Sequence, residues 1–187
     1  RPGPLTMAYV KLEISTAEGQ KFFRLVSDAI APRAILTAIG GRFMSYVDES
    51  FRTRGRGAWP PLSPLTLLLR RHGGNAPLQD SGRYKQSFVQ ETDGQTFVEV
   101  GTNLKVSGGL LLGKIHEFGT GPYTIRVRRA KMLAAQTRGG SWLHFGKEVH
   151  HPGIPARPVL PAKAVAERLA QQTLDAIASR AVAQKGG

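Results

Sequence analysis

Apolar side chains change their spacing several times along the chain, and each change marks an element. From Tyr9 to Ser15, Val10, Leu12 and Ile14 alternate with Tyr9, Lys11, Glu13 and Ser15, the period of two of a half-buried strand. From Lys21 the period lengthens: Phe22, Leu25, Val26 and Ala29 fall at helical spacing, and Pro32 then interrupts. Ile35, Leu36, Ile39, Phe43, Tyr46 and Val47 carry a further stripe. The spacing predicts two amphipathic helices, over 17–31 and 32–52. Gly40-Gly41, inside the second, marks a weak point or a place of close packing.

Past a loop from Arg52 to Pro64, Ser63 reads as an N-cap with Pro64 at the first helical position, so a short helix is expected over Leu65–Arg71, ended by Gly73-Gly74. Asp80 or Ser81 is placed to cap another turn through Tyr84 and Phe88. Phe88–Glu91 and Thr96–Gly101 are strand-like runs joined by Thr92-Asp93-Gly94-Gln95, a hairpin signal. Leu110–Phe118 reads as a short helix burying Leu111, Ile115 and Phe118. Tyr123–Arg128 sets Tyr, Ile and Val against Thr, Arg and Arg, a strand with a basic outer face. Trp142–Val149 is its counterpart, with Ala130–Ser141 an exposed excursion between them. Pro161 to Gln184 is Ala-rich, with Val165, Leu169, Leu174, Ile177 and Ala178 as its stripe, a terminal helix of five or six turns. There is no internal repeat.

These elements describe an α+β fold: a small antiparallel sheet packed by two N-terminal helices and a long C-terminal helix, with extended hairpin and loop arms. Residues 1–8 read as an unstructured lead, with Met7 an alternative start, and 9–187 as one domain carrying a basic loop at 52–64 and a basic hairpin insertion at 122–149. Arg1–Pro4 is followed by no apolar stretch of signal-peptide length, and no apolar run approaches the roughly 20 residues that span a bilayer.

Charge changes the picture most. Lys and Arg number 26 against 13 Asp and Glu, a balance of +13. An excess of that size attracts polyanions or acidic proteins. Two clusters stand out for DNA or acidic-partner contact: Arg52, Arg54 and Arg56 in the loop, and Arg126, Arg128, Arg129, Lys131 and Arg138 in the insertion, where Tyr123 and Trp142 could stack on bases. No nucleic-acid-reading motif accompanies them, which favours backbone contact over base readout.

Catalytic chemistry finds little footing. Cysteine is absent, excluding disulfides, thiolate metal sites and Cys nucleophiles. The five histidines show neither H-E-x-x-H nor H-x-x-x-H spacing, and adjacent His150 and His151 point apart on a strand. Glu91, Asp93 and Glu99 lie near the hairpin without a cleft to share. Ser107-Gly108-Gly109 and Gly119-Thr120-Gly121 fall short of any phosphate-binding fingerprint and read as turns. The sequence therefore points to a non-enzymatic protein without cofactor or metal.

Several short motifs recur in a fixed order. Trp59-Pro60-Pro61-Leu62-Ser63-Pro64-Leu65-Thr66 is followed by Pro77-Leu78-Gln79-Asp80-Ser81-Gly82-Arg83-Tyr84, Val100-Gly101-Thr102, Ile115-His116-Glu117-Phe118-Gly119 and Ile154-Pro155-Ala156-Arg157-Pro158-Val159-Leu160. This order, over roughly 20–175, resembles the phage virion morphogenesis family, which includes the tail completion proteins of Mu-like and P2-like phages. The Glu-Phe-Gly-Thr-Gly and His-Pro-Gly-Ile elements also look like the neck protein family of long-tailed phages. The resemblance implies a virion protein of the head–tail junction, a tail completion or tail terminator ring (hexameric in the simplest case) that caps the tail tube and joins it to the head connector, assembled in the host cytoplasm, with packaged DNA nearby. Loops bearing Trp59, Phe118, Gly119, His151, Pro152 and Arg157 would then form subunit interfaces. A basic module contacting the DNA backbone is the alternative.

Overall fold

A computed structural model describes residues 8–13, 20, 30–72, 74–106 and 108–185. The expected lead falls outside them apart from Ala8, and the helix expected over 17–31 falls outside them apart from a few isolated positions. The described residues form an α+β structure with five helices, one long and C-terminal, and antiparallel sheets of two or three strands. They fall into two compact units, each built from discontinuous stretches: the first from residues 1–50, 88–103 and 160–187, the second from 51–87 and 104–159.

In the first unit, β1 (Ala8–Glu13), β2 (Val89–Thr92) and β3 (Phe97–Thr102) form one antiparallel sheet in the order β1-β3-β2. The β2–β3 turn is the Asp-Gly hairpin expected. Asp93 Oδ1 accepts from the N–H groups of Gln95, Thr96 and Phe97 at 2.8–3.0 Å, and Oδ2 accepts from the Thr96 hydroxyl. The Thr96 hydroxyl and these amides hold the Asp93 carboxyl well below the usual carboxylate range.

Helix α1 (Pro32–Arg52) buries Ile35, Leu36, Ile39, Phe43 and Val47 completely or nearly so. Each such side chain contributes about 1.5–3 kcal/mol of apolar burial, whereas a helical glycine costs about 1 kcal/mol. The stripe therefore outweighs Gly40-Gly41. Gly40 is a point of close packing: the Gln90 side chain of β2 lies where a Cβ would stand, and its Nε2 donates to Thr37 O at 3.1 Å. Gly41 faces open space.

The terminal helix α5 (Lys163–Lys185) runs beside β1 and differs in its inward line. Ala166 and Ala170 are buried, while Val165, Leu169, Leu174, Ile177 and Ala178 are half-buried. At 100° per residue, Ala166, Ala170, Thr173 and Ile177 lie along one line and the bulkier residues flank it. The small alanines allow close approach at the helix centre, which a pattern search weighted by hydrophobic size underrates.

The second unit begins with the last two residues of α1, Phe51 and Arg52, and continues through α2 (Pro64–Leu69), α3 (Arg83–Gln86) and α4 (Leu112–Phe118). Ser63 caps α2 as expected, its Oγ accepting from Thr66 N at 3.1 Å. The N-cap position of α3 is Gly82, at φ 73°, and Ser81 just before it accepts from Arg83 N through its Oγ at 3.4 Å; Asp80 takes no part. Asp80 instead accepts from Arg70 Nε (3.3 Å) and His72 N (3.2 Å). Burial raises its pKa, but those two donors outweigh burial and leave the carboxyl below its ordinary value. Arg70 also donates to the carbonyls of Gly74 and Ala76, so one buried guanidinium organises the 70–80 loop.

Residues 123–151 form one long hairpin in two halves. The proximal half pairs β4 (Tyr123–Arg126) with β7 (Glu148–His151); the distal half pairs β5 (Leu133–Gln136) with β6 (Trp142–Gly146). The strand expected over Trp142–Val149 is thus interrupted at Lys147, just after Gly146, whose φ is 79°.

Candidate interaction surface

Four of the five motif segments lie in the second unit, apart from Leu160 at the end of the last, and contact one another there; Val100-Gly101-Thr102 belongs to β3 of the first. Trp59 Nε1 donates to Pro158 O at 2.9 Å, and its ring packs edge-on against Phe51 at 5.8 Å. Arg157 donates from Nε to Pro60 O and from Nη2 to Pro61 O, both at 3.1 Å, and its backbone N–H donates to His116 O at 2.6 Å. Val159 N donates to Glu117 Oε1 at 2.8 Å. Thr120 and Ile154 exchange two bonds: Thr120 N to Ile154 O, and Ile154 N to Thr120 Oγ1. A Cβ on Gly119 would stand 2.6 Å from Ile154 O, and one on Gly153, at φ 98°, would overlap Thr120 O, so only glycine permits this approach of the two loops.

This clasp assigns the expected interface residues their places. Trp59 and Arg157 are 7% and 6% exposed, with their polar groups satisfied inside the subunit. Gly119 sits at the loop junction. His151 stacks on Tyr123 at 4.7 Å and accepts from Gly153 N through Nδ1, while Pro152 is exposed. Phe118, expected in the core, is 79% exposed. The reason is helical geometry: Gly113, His116 and Glu117 share the inward face of α4, which turns Leu111, Ile115 and Phe118 to the opposite side.

His116 lies against Tyr84, ring centroids 5.0 Å apart, and its Nδ1 has no hydrogen-bond partner. Burial, aided by the positive charge of Arg157, lowers its pKa to about 4, so the imidazole is neutral at pH 7. Burial likewise pushes the Tyr84 phenol up. No group of three or more His, Asp or Glu side chains that could hold a metal occurs among the described residues, and no helix among them is long and apolar enough to cross a membrane.

The basic residues of the two expected clusters are all exposed but not equivalent. Arg52 ends α1. Arg54 and Arg56 belong to a run of four residues with positive φ (54°, 66°, 58° and 79° for 54–57), closed by bonds from Gly57 N to Thr53 O and from Trp59 N to Arg54 O. Left-handed backbone costs a non-glycine residue about 1–2 kcal/mol, so this turn is imposed by its surroundings. Arg54 Nη2 donates to Asn75 Oδ1 at 2.9 Å. On the hairpin, Arg126 does not share a strand face with Arg128, because β4 ends at Arg126 and the chain then departs in a wide bulge over 127–132. Arg126 pairs with Glu148 at 3.2 Å, and Glu148 also faces His150. Arg128, Arg129 and Lys131 stand on the bulge. Lys147 joins them from the opposite strand, its carbonyl accepting from Val127 N at 3.0 Å. Arg138 is at the distal turn, where its backbone N–H donates to Leu68 O.

Sequence reasoning passed over two features. Lys147 lies between Gly146 and Glu148, and only the hairpin pairing brings it to the bulge. Helix α2, Pro-Leu-Thr-Leu-Leu-Leu, buries none of its residues; Leu65, Leu67 and Leu68 are 40–49% exposed. Of the eleven large hydrophobic side chains exposed among the described residues, all but Val89 and Val182 belong to the second unit, which therefore carries the apolar surface available to partners. It also carries the charge. Its stretches hold 16 Lys and Arg against 3 Asp and Glu, a balance of +13, while the remaining 10 basic and 10 acidic residues of the chain cancel in the first unit.

Comparison with family models, with curated proteins and with solved structures finds no match to this chain.

Proposed function

We propose that this chain is a structural subunit of a phage head–tail junction, a tail completion or tail terminator protein that closes with copies of itself into a ring between the tail tube and the head connector. The observation that carries this reading is the concentration of exposed apolar side chains on the second unit, with α2 presenting Leu65, Leu67 and Leu68, β6 presenting Trp142 and the hairpin bulge presenting Met132. Exposed apolar surface on this scale marks a place covered by a partner. A second copy suits it: α2 and the distal turn of the hairpin adjoin, Arg138 N donating to Leu68 O at 3.1 Å, and together they offer one apolar face to a different face of the next subunit, as heterologous ring closure requires. The resemblance adds that three of the motifs on which it rests, at 59–66, 115–119 and 154–160, supply the residues of the clasp in the same unit.

Sedimentation velocity combined with electron microscopy of the purified chain tests the reading. Closed annular oligomers of one size are expected, and the double variant Leu65→Glu/Leu68→Glu should yield folded monomers. A chain that stays monomeric at every concentration and enters no phage particle overturns it.

A further inference from the structure

The charge partition leads to a second conclusion that stands independently of the ring. We infer that the bend of the 123–151 hairpin is a contact site for the phosphate backbone of double-stranded nucleic acid, made by Arg128, Arg129, Lys131 and Lys147.

Three observations converge there. The first is that cations serving the fold are recognisable by their partners: Arg70 has Asp80 and two carbonyls, Arg126 has Glu148, and Arg157 has Pro60 and Pro61. The four at the bend are exposed and have no ion-pair partner among the described residues. The nearest acid, Glu148, is occupied by Arg126 and His150.

The second is geometric. The bulge over 127–132 opposes Lys147 alone, since Arg126 pairs with Glu148 and Leu133 with Gly146, and the bond from Val127 N to Lys147 O holds the two strands together at its base. Charges from both strands therefore project at one elbow on a supported ribbon. Like charges gathered on one short stretch of ribbon repel one another, and an anion that neutralises several of them at once stabilises the arrangement.

The third decides the class of partner. A protein interface centres on buried aromatic or aliphatic anchors. Along the bulge, 127–132, the chain offers Val-Arg-Arg-Ala-Lys-Met, in which three cations outnumber one exposed methionine, Met132, and no aromatic anchor is present. Phosphate contact needs cations alone, and Arg adds bidentate geometry. The same segment lacks Asn, Gln and aromatic side chains, so it offers neither adenine readout nor base stacking, and its cations are assigned to phosphates.

Anisotropy titration of the full chain with random-sequence duplex DNA across a salt series tests the site. Each phosphate contact adds about 0.9 to the slope of log affinity against log salt, so Arg128→Ala/Arg129→Ala/Lys131→Ala/Lys147→Ala should lower that slope by about 3 to 4 and weaken binding at low salt by roughly tenfold or more. A control with equal charge loss elsewhere on the unit, Arg71→Ala/Arg83→Ala/Lys105→Ala/Lys114→Ala, should keep most of the slope. Circular dichroism of both variants should match the parent. Equal loss in both variants, no binding of duplex DNA by the parent, or equally tight and equally salt-dependent binding to polyglutamate would each overturn the assignment. Sedimentation of the quadruple elbow variant keeps the outcome separate from the ring reading, since its oligomeric state should not change.

Discussion

Arg157 and Arg128 are drawn from the same basic excess but have opposite fates. Arg157 is buried and donates to the carbonyls of a Pro-Pro corner, while Arg128 stands exposed on the hairpin bulge. Proline lacks an N–H, so the carbonyls of Pro60 and Pro61 lie in a stretch that cannot pair as a ladder, and a guanidinium with several donors is suited to satisfy them. Burial has a consequence for the neighbouring imidazole, to which that enclosed charge adds. His116, facing Arg157, Tyr84 and the Glu117 region, is kept neutral with a pKa near 4, whereas in the unfolded chain it titrates near its ordinary 6.5. Its folded pKa is depressed, so the unfolded state takes up the proton first as pH falls. Stability is therefore full above about pH 6.5 and declines between there and pH 4, by an amount on the order of 3 kcal/mol. Denaturant midpoints measured across that window should fall, and His116→Gln should flatten the decline. An unchanged slope in the variant would show that the proton is taken up elsewhere.

At the scale of elements, α1 provides a direct comparison between adjacent glycines. Gly41 is exposed with nothing near its absent Cβ, so Gly41→Ala should raise stability by about 0.5–1 kcal/mol through helix propensity alone. Gly40→Ala gains the same propensity but displaces the Gln90 side chain and its bond to Thr37 O, a loss of about 1 kcal/mol. Its net effect should lie near zero, and adding Gln90→Ala should remove the coupling between the two positions; a double-mutant cycle in urea reads it. The sequence carried β1, α1, the Asp-Gly hairpin, the Ser63 cap and the terminal helix, because each rests on local periodicity or turn chemistry. It did not carry the inward face of α4 or the break after Gly146. Those depend on partners distant in sequence: Tyr84 and Val159 turn His116 and Glu117 inward, and the pairing of Arg126 with Glu148 fixes where the ribbon bends. The candidate surface was legible in part. Charge clusters are visible in composition, but which cations the fold engages, and that α2 keeps its leucines outside, follow only from tertiary contacts.

For the whole molecule, the separation of charge into a neutral unit and one of +13 has a thermodynamic consequence that two ordinary probes can follow apart. Both tryptophans, Trp59 and Trp142, lie in the second unit, so intrinsic fluorescence reports its unfolding. Nearly all of α1 and all of α5, the two long helices, lie in the first, so the far-ultraviolet helical signal is dominated by that unit. Crowded like charges destabilise the folded second unit through self-repulsion, and salt screens that repulsion, with a Debye length near 10 Å at 0.1 M shrinking to about 3 Å at 1 M. In the first unit, acids and bases balance, and screening removes attractions along with repulsions. Raising salt should therefore shift the fluorescence-detected thermal midpoint upward by more than the helix-detected one, and the elbow variant should narrow the difference by deleting four of the repelling charges. Two midpoints that move together by the same amount would mean that the charge of the second unit is not expressed as strain in its fold, and that its cations are already far enough apart to be screened by water alone.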